Sequence, residues 1–208
     1  MQKNPIPRDD AITPAKRAVF PTMDTVGESI MGRRNGKQML VLFRQFRQRD
    51  GQACSRILME NFVDSVFWGN GIPTREDMLK ARMTYSTLFI AHTARTHNYR
   101  VVLLDGEVAG MCGFLREGDR AKIVDVSVAM PLQGNGIGDF MVRTLIEEIS
   151  AIEGIRTMCL FSSPIAFGIY RRHGFAAPDY PESALLDSFG NIYMERPAQS
   201  GQRRMPGM

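Results

Sequence analysis

The chain has 208 residues, of which 44% are hydrophobic and 23% are charged, and this composition predicts one globular domain with room for terminal extensions. Its formal net charge of +4 suits an anionic ligand but is weaker than nucleic-acid binders usually carry, so we expect no nucleic-acid partner. No apolar run approaches the ~18 residues that a membrane span needs, so we expect no membrane partner either.

Two terminal segments flank the predicted domain. Residues 1–37 carry four prolines and scattered charge with little periodicity, which predicts a flexible N-terminal arm. Residues 197–208 have a similar composition and are predicted to form a flexible C-terminal tail. The folded domain is therefore predicted to span residues 38–196.

The first half of this domain is predicted to contain one strand and two helices. Residues 38–46 read as the strand, and the helical spacing of apolar residues over 51–67 predicts the first helix. Thr74 is predicted to cap the second helix, which has acidic residues in its first turn and runs to about Thr96.

The second half changes to the two-residue period of strands. Gly106 marks a hairpin turn, since glycine tolerates positive φ, and Gly174 is predicted to end the last helix in the left-handed conformation. The order β-α-α-β-β-β-α-β-α-β predicts an α/β fold with a mixed sheet and helices on both faces. The elements predicted in this half are strands at 100–104, 107–114 and 121–130, a helix at 137–152, a strand at 155–161, a helix at 163–173 and a strand at 191–196.

A glycine-rich loop, LQGNGIGDFM at 132–141, lies between a predicted strand and a predicted helix. The first amides of a helix have no internal partners, and glycines without Cβ atoms allow a pyrophosphate to approach them. The loop has no lysine for a Walker motif, and Asp139 stands where a dinucleotide fingerprint needs its third glycine. The alternative is a tight turn without a ligand, but such a turn needs one positive-φ glycine and not three.

The remaining pattern, Gln133-x-x-Gly136-x-Gly138, resembles the Q/R-x-x-G-x-G/A signature of the GNAT superfamily of acyl-coenzyme A-dependent N-acetyltransferases. The stretch VVLLDGEVAGMCGF resembles the hairpin of that family, VDVSVAMPLQGNGIG its motif A, and FGIYRRHGF its motif B, where arylalkylamine N-acetyltransferases are similar. The resemblance covers residues 38–196. It implies a GNAT-like, mostly antiparallel sheet whose central strand pair splays apart with a bulge.

The resemblance also implies acetyl-coenzyme A as cosubstrate. The main chain of Val126, Ser127 and Val128 would pair with the pantetheine arm, and one amide there would polarise the acetyl oxygen. No metal is expected, since the three histidines lack the spacing of metal ligands. The loop residues whose amides would hold the pyrophosphate are Gln133, Gly134, Asn135, Gly136, Ile137 and Gly138.

By the same resemblance, Tyr170 is the expected general acid. It occupies the position of the motif B tyrosine, from which its hydroxyl would protonate the departing thiolate. The alternative is a half-buried tyrosine whose hydroxyl is already satisfied by the protein.

The general base is less defined. The positions at which family members carry it match Lys122 and Val124, and neither can serve as an ordinary base. Asp125 is the nearest carboxylate and our candidate, although strand alternation turns it away from both unless a bulge intervenes. Glu117 and Asp119 in the preceding turn are the alternatives.

The acceptor side is predicted to include Phe67 and Trp68, in a loop between the first two helices that commonly shapes the acceptor pocket in this family. The leading hypothesis is transfer of an acetyl group to a small-molecule or protein amine by direct attack, in a monomer or homodimer. A non-catalytic acyl-coenzyme A sensor is the second hypothesis, motivated by Lys122 and Val124. A nucleotide-binding oxidoreductase is the third.

The three cysteines are isolated and odd in number, which predicts buried, reduced thiols in a reducing compartment and a cytoplasmic location. Basic residues in the arm, Arg33, Arg34 and Lys37, leave an organellar transit peptide as an alternative. Acidic residues in the same segment argue against it.

Overall fold

The computed structural model describes residues 27–34, 37–69, 72–179, 185–187 and 190–198. The strands are β1 (Gly27–Arg34), β2 (Lys37–Gln45), β3 (Arg100–Leu104), β4 (Glu107–Glu117), β5 (Arg120–Val128), β6 (Thr157–Ser162) and β7 (Ile192–Pro197). The helices are α1 (Gly51–Gly69), α2 (Arg75–Thr84), α3 (Thr87–Thr93), α4 (Ile137–Ser150) and α5 (Phe167–Arg172). Within these ranges, no helix has the length and apolar character needed to cross a membrane.

The strands form one seven-stranded sheet in the order β1-β2-β3-β4-β5-β6-β7. Every neighbouring pair is antiparallel except β5 and β6, which are parallel. A parallel pair needs a crossover connection, and α4 provides it between β5 and β6. The predicted fold class, a mixed and mostly antiparallel sheet, is therefore confirmed.

Helices cover both faces of the sheet, and each face has its own apolar cluster. On one face, α4 buries the stripe that its period predicted, with Leu145 and Ile149 fully inaccessible to solvent. On the other face, Leu58 of α1 and Ile90 of α3 pack against Tyr99 and against apolar residues of β3 and β4. Fully burying each such side chain stabilises the fold by about 1.5–3 kcal/mol. The three cysteines are buried free thiols, as predicted.

The structure corrects the predicted N-terminal arm in one segment. Gly27–Arg34 forms β1 and pairs antiparallel with β2, so the prediction of an arm is wrong for these eight residues. Residues 1–26 lie outside the described residues. The sequence analysis missed this strand because prolines and charges dominate the surrounding segment.

Two predicted helices also differ from the structure. The second helix ends at Thr84, and Ser86 begins α3 by accepting a hydrogen bond from the Phe89 amide at 3.2 Å. The prediction at Thr74 is confirmed, since its side chain caps α2. The last helix begins at Phe167 and not beside Ser163, because the intervening residues form a turn.

Candidate active site

The central strands β5 and β6 separate after a short paired stretch. Their register covers only Arg120 with Thr157, Ala121 with Met158 and Lys122 with Cys159. Beyond this point β5 continues along β4, while its other edge has no strand partner among the described residues. The predicted splay is confirmed, and it leaves main-chain groups of β5 open to an extended ligand.

A cavity of about 830 Å³ occupies the opening. Val126, Ser127 and Val128 line it, as expected for the coenzyme arm. Residues of the glycine loop, of α1 and of α2 also line it. The cavity thus connects the predicted pyrophosphate loop with the helices on the opposite side of the sheet.

The glycine loop presents unpaired amides to this cavity. The N–H groups of residues 134–138 donate to no main-chain carbonyl among the described residues. Gly134 and Gly136 have φ of 75° and 80°, a conformation that side chains with a Cβ rarely adopt. Gln133 departs from the prediction, since its N–H donates to Met130 O at 3.2 Å and is not free for a phosphate.

These features fit an anionic ligand. Gly136 is the N-terminal cap of α4, where the dipole places partial positive charge. Asp139 in the first turn would oppose a phosphate, but its carboxylate lies 3.1 Å from His173 Nε2 and 3.5 Å from an Arg172 nitrogen. The pairing with Arg172 reduces the negative charge that Asp139 directs at the loop.

Tyr170 lies on α5 and faces the cavity. The side chain is 6% exposed, and its ring packs against Phe175 at a centroid distance of 6.0 Å. Its hydroxyl has no hydrogen-bond partner among the described residues, so the alternative of a satisfied tyrosine is not what the structure shows. Burial, with a smaller effect of Cys112, raises the pKa of Tyr170 well above its usual range, and the phenol therefore keeps its proton.

A bulge in β5 reorients Asp125. Met111 of β4 pairs with Ser127 and Gly113 pairs with Val124, so β5 holds one extra residue between the two pairs. Asp125 has φ of 55°, in the left-handed region. The predicted alternation is therefore wrong here, and the Asp125 side chain enters the cavity instead of facing away.

The bulge also separates the valines of β5, which strict alternation would place on one face. Val124 packs with the cluster of α1 and α3, whereas Val126 and Val128 pack with the cluster of α4. Asp125 accepts a hydrogen bond from the hydroxyl of Tyr99, a member of the same cluster as Val124. Burial raises the pKa of the Asp125 carboxyl above its ordinary value, which suits a proton acceptor.

The alternative base residues lie elsewhere. Glu117 and Asp119 are exposed at the turn between β4 and β5, at the end where β5 and β6 are paired. Lys122 places its Nζ 5.4 Å from the centre of the Phe161 ring. None of the three lines the cavity, so the geometry favours Asp125.

On the acceptor side, the structure changes the position of Phe67 and Trp68. Both belong to the last turns of α1 and not to a loop, and their side chains lie outside the described residues. Tyr85 lines the cavity near Asp125 and was missed by the sequence analysis, as was Tyr99. The two-residue period that links Tyr99 with Val101 could have indicated that this tyrosine faces the sheet interior.

Metal binding has no support in the described ranges, where no three His, Cys, Asp or Glu side chains converge closely enough to hold an ion.

Comparison with known proteins identifies a matching family model. Residues 95–177 match the family model of the acetyltransferase (GNAT) domain. The matched range contains the hairpin, the glycine loop and the segment around Tyr170 on which the resemblance was based. Comparison with curated proteins gives no match.

Solved structures share the fold at low sequence identity. The PaiA N-acetyltransferase from Thermoplasma acidophilum, in complex with coenzyme A, is 16% identical with a TM-score of 0.62, covering 76% of this chain and 98% of that chain. RimJ from Mycobacterium smegmatis, in complex with CoA-disulfide, is 16% identical with a TM-score of 0.57, covering 79% of this chain and 85% of that chain. A GNAT-family acetyltransferase from Staphylococcus aureus is 15% identical with a TM-score of 0.56, covering 76% and 99%. At such identities the likeness shows the fold alone.

Proposed function

We propose that the chain is an acyltransferase of the GNAT type, since residues 95–177 match the GNAT acetyltransferase domain, and that it transfers an acetyl group from acetyl-coenzyme A to a primary amine by direct attack. The observation that carries the proposal is the row of unpaired amides at residues 134–138, of which Gly134, Gly136 and Gly138 line the same cavity as Tyr170 and Asp125. The acceptor is proposed to be a small-molecule or protein amine.

The loop and β5 would hold the donor. Unpaired amides at a helix N-terminus favour a diphosphate, and the open edge of β5 favours an extended amide-containing arm. An amide of Val126, Ser127 or Val128 would polarise the acetyl oxygen. Holding donor and acceptor together removes an entropic cost that is worth several kcal/mol.

Two side chains would move the protons. Asp125 would take a proton from the substrate ammonium, and the neutral nitrogen would then attack the thioester carbon. The new C–N bond forms as the C–S bond breaks, and the sulfur leaves as a thiolate. Tyr170, which keeps its proton because it is buried, would protonate that thiolate.

The test is thiol release from acetyl-coenzyme A across a panel of amines. Tyr170→Phe should lower kcat by about 100-fold or more, the usual contribution of a general acid, and leave the Kd of coenzyme A unchanged in calorimetry. Tyr193→Phe is the matched control, since Tyr193 contacts Arg120 and Glu195 and does not line the cavity. Equal turnover by Tyr170→Phe would remove this residue from the mechanism. Tight coenzyme binding without turnover on any amine would favour the sensor hypothesis.

A further inference from the structure

Tyr99 lies directly before β3 and contacts the residue proposed as the base. Its hydroxyl donates to Asp125 Oδ2 at 2.5 Å. No other side chain of the described residues donates a hydrogen bond to this carboxylate. Asp125 has the positive φ of the bulge, so the direction of its side chain depends on contacts that the strand itself does not provide.

The Tyr99 ring is itself held on several sides. The side chain is 4% exposed, and its centroid lies 5.3 Å from that of His97 and 6.3 Å from that of Phe46. Gly113 supports the remaining side so closely that a Cβ built there would lie 2.5 Å from Tyr99 Cδ1. A ring packed in this way keeps its hydroxyl in one place.

We infer that Tyr99 is a positioning residue for the acetyl transfer, which directs the Asp125 carboxylate into the cavity and stabilises its ionised form. The inference rests on the proposed function, in which Asp125 is the base. Tyr99 lies 26 residues before Asp125 in the sequence and does not line the cavity, so its proposed effect on the reaction is only through the base.

The charges around Asp125 set the direction of the expected effect. Burial raises the pKa of Asp125, while the hydrogen bond from Tyr99 and, to a smaller extent, His97 lower it. Burial and Asp125 raise the pKa of Tyr99, so the phenol remains a donor throughout the neutral range. The other ionisable residues that line the same cavity are Asp64 of α1, Asp77 and Lys80 of α2, Tyr85 after α2, Asp139 of α4, and Tyr170 and Arg172 of α5.

The experiment compares Tyr99→Phe with Tyr193→Phe, which removes a phenol next to a carboxylate at a site that does not line the cavity. Removing the hydrogen bond from Tyr99 destabilises the ionised form of Asp125 and so raises its pKa. The acid limb of the pH profile of kcat/KM for Tyr99→Phe should therefore move to higher pH by about one to two units. The Asp125 carboxyl, followed by carbon NMR, should show the same shift without any substrate. Tyr193→Phe should change neither, and the Kd of coenzyme A should stay constant in both variants.

Asp125→Asn separates failure of this inference from failure of the proposed function. If it abolishes turnover while Tyr99→Phe leaves the acid limb and the Asp125 titration unmoved, the positioning role is overturned and the base assignment stands. If Asp125→Asn keeps full turnover, the base assignment fails and the inference fails with it. The double variant Tyr99→Phe/Asp125→Asn is compared with Asp125→Asn by the pH dependence of residual turnover. The same pH dependence in both supports the inference, since Tyr99 then acts only through Asp125.

Discussion

The side-chain amide of Gln133 donates to Asn61 Oδ1 at 2.8 Å and so joins the glycine loop to α1. The same Gln133 nitrogen lies 3.2 Å from Val128 O, and Asn61 Nδ2 donates to Val128 O at 3.0 Å. The loop, α1 and the end of β5 therefore share one small hydrogen-bond network. The first residue of the glycine signature thus holds the loop in place, since its main-chain amide is occupied and its side chain faces α1.

Breaking this network should weaken binding of coenzyme A without removing any phosphate contact. We expect Asn61→Ala and Gln133→Ala each to raise the Kd about three- to tenfold, the usual net value of a hydrogen bond. Calorimetry with coenzyme A measures the Kd of each variant. The double variant should raise the Kd more than either single variant does, but by less than the product of the two single increases. Thr144→Ala is the control, since its hydroxyl donates to Phe140 O within α4 and to no other acceptor in the part of the chain that the structure describes. Strictly multiplicative effects would show that the two amides act separately.

A glycine variant in the loop tests the amides themselves. Gly136→Ala forces a Cβ into the left-handed region and should raise the Kd of coenzyme A about tenfold or more. Gly106→Ala is matched in backbone strain, with φ of 90° in the hairpin between β3 and β4. Both variants should lose roughly 1 kcal/mol of unfolding free energy, yet only Gly136→Ala should lose affinity. Similar affinities for the two would contradict the assigned role of the loop.

The glycine loop could be predicted from sequence because its physics is local. Gly134 and Gly136 can adopt positive φ without the cost that a Cβ would add, and the apolar stripe of α4 begins directly after them. Tyr170 followed from the position of its motif and needed no knowledge of its neighbours. Such features depend on a few consecutive residues, and in the structure Tyr170 and the loop glycines line the same cavity.

The acidic side of the cavity could not be predicted in this way. Strand alternation placed Asp125 on the wrong face because the bulge that turns it lies in the register between β4 and β5. No glycine marks the positive φ at Asp125, and its partner Tyr99 lies 26 residues earlier in the chain, directly before β3. The break between α2 and α3 at Ser86 depends on a cap that competes with a continuous helical pattern. The bulge and the Tyr99 hydrogen bond arise from tertiary contacts, which one sequence does not encode as a pattern.

A buried ion pair predicts how stability depends on pH. Arg44 and Asp50 form two hydrogen bonds at 2.7 and 2.8 Å, with side chains 8% and 4% exposed. Burial alone would raise the pKa of Asp50, but the bonds from Arg44 and the Arg47 amide hold it below its ordinary value. A depressed carboxyl pKa adds stability above the unfolded value near 4, and that stability is lost as pH falls below it.

Asp50→Asn should therefore lose about 3–5 kcal/mol of unfolding free energy at pH 7, because Arg44 is left buried without its partner. Urea unfolding between pH 7 and 2 measures this, and the gap between wild type and variant should narrow as the pH falls below about 4. Asp119→Asn is the control, since Asp119 lies 4.0 Å from Arg156 at an exposed site and should change by less than about 0.5 kcal/mol. A gap that stays constant down to pH 2 would contradict the charge-based explanation.

The close approach of β4 to the turn before β3 predicts a steric limit at Gly113. A Cβ there would lie 2.5 Å from His97 O, and that carbonyl is fixed because it accepts the Phe114 amide at 2.8 Å. Gly113→Ala should therefore lose about 1–3 kcal/mol of unfolding free energy, with the Tyr99 ring displaced. Gly168→Ala, in α5 with its nearest neighbour 3.9 Å away, should be neutral or slightly stabilising in the same urea titration. The displaced ring carries the hydroxyl that donates to Asp125. Gly113→Ala should therefore also move the acid limb of kcat/KM to higher pH, as expected for Tyr99→Phe. An unchanged acid limb in a folded variant would show that the Tyr99 ring tolerates the added methyl group.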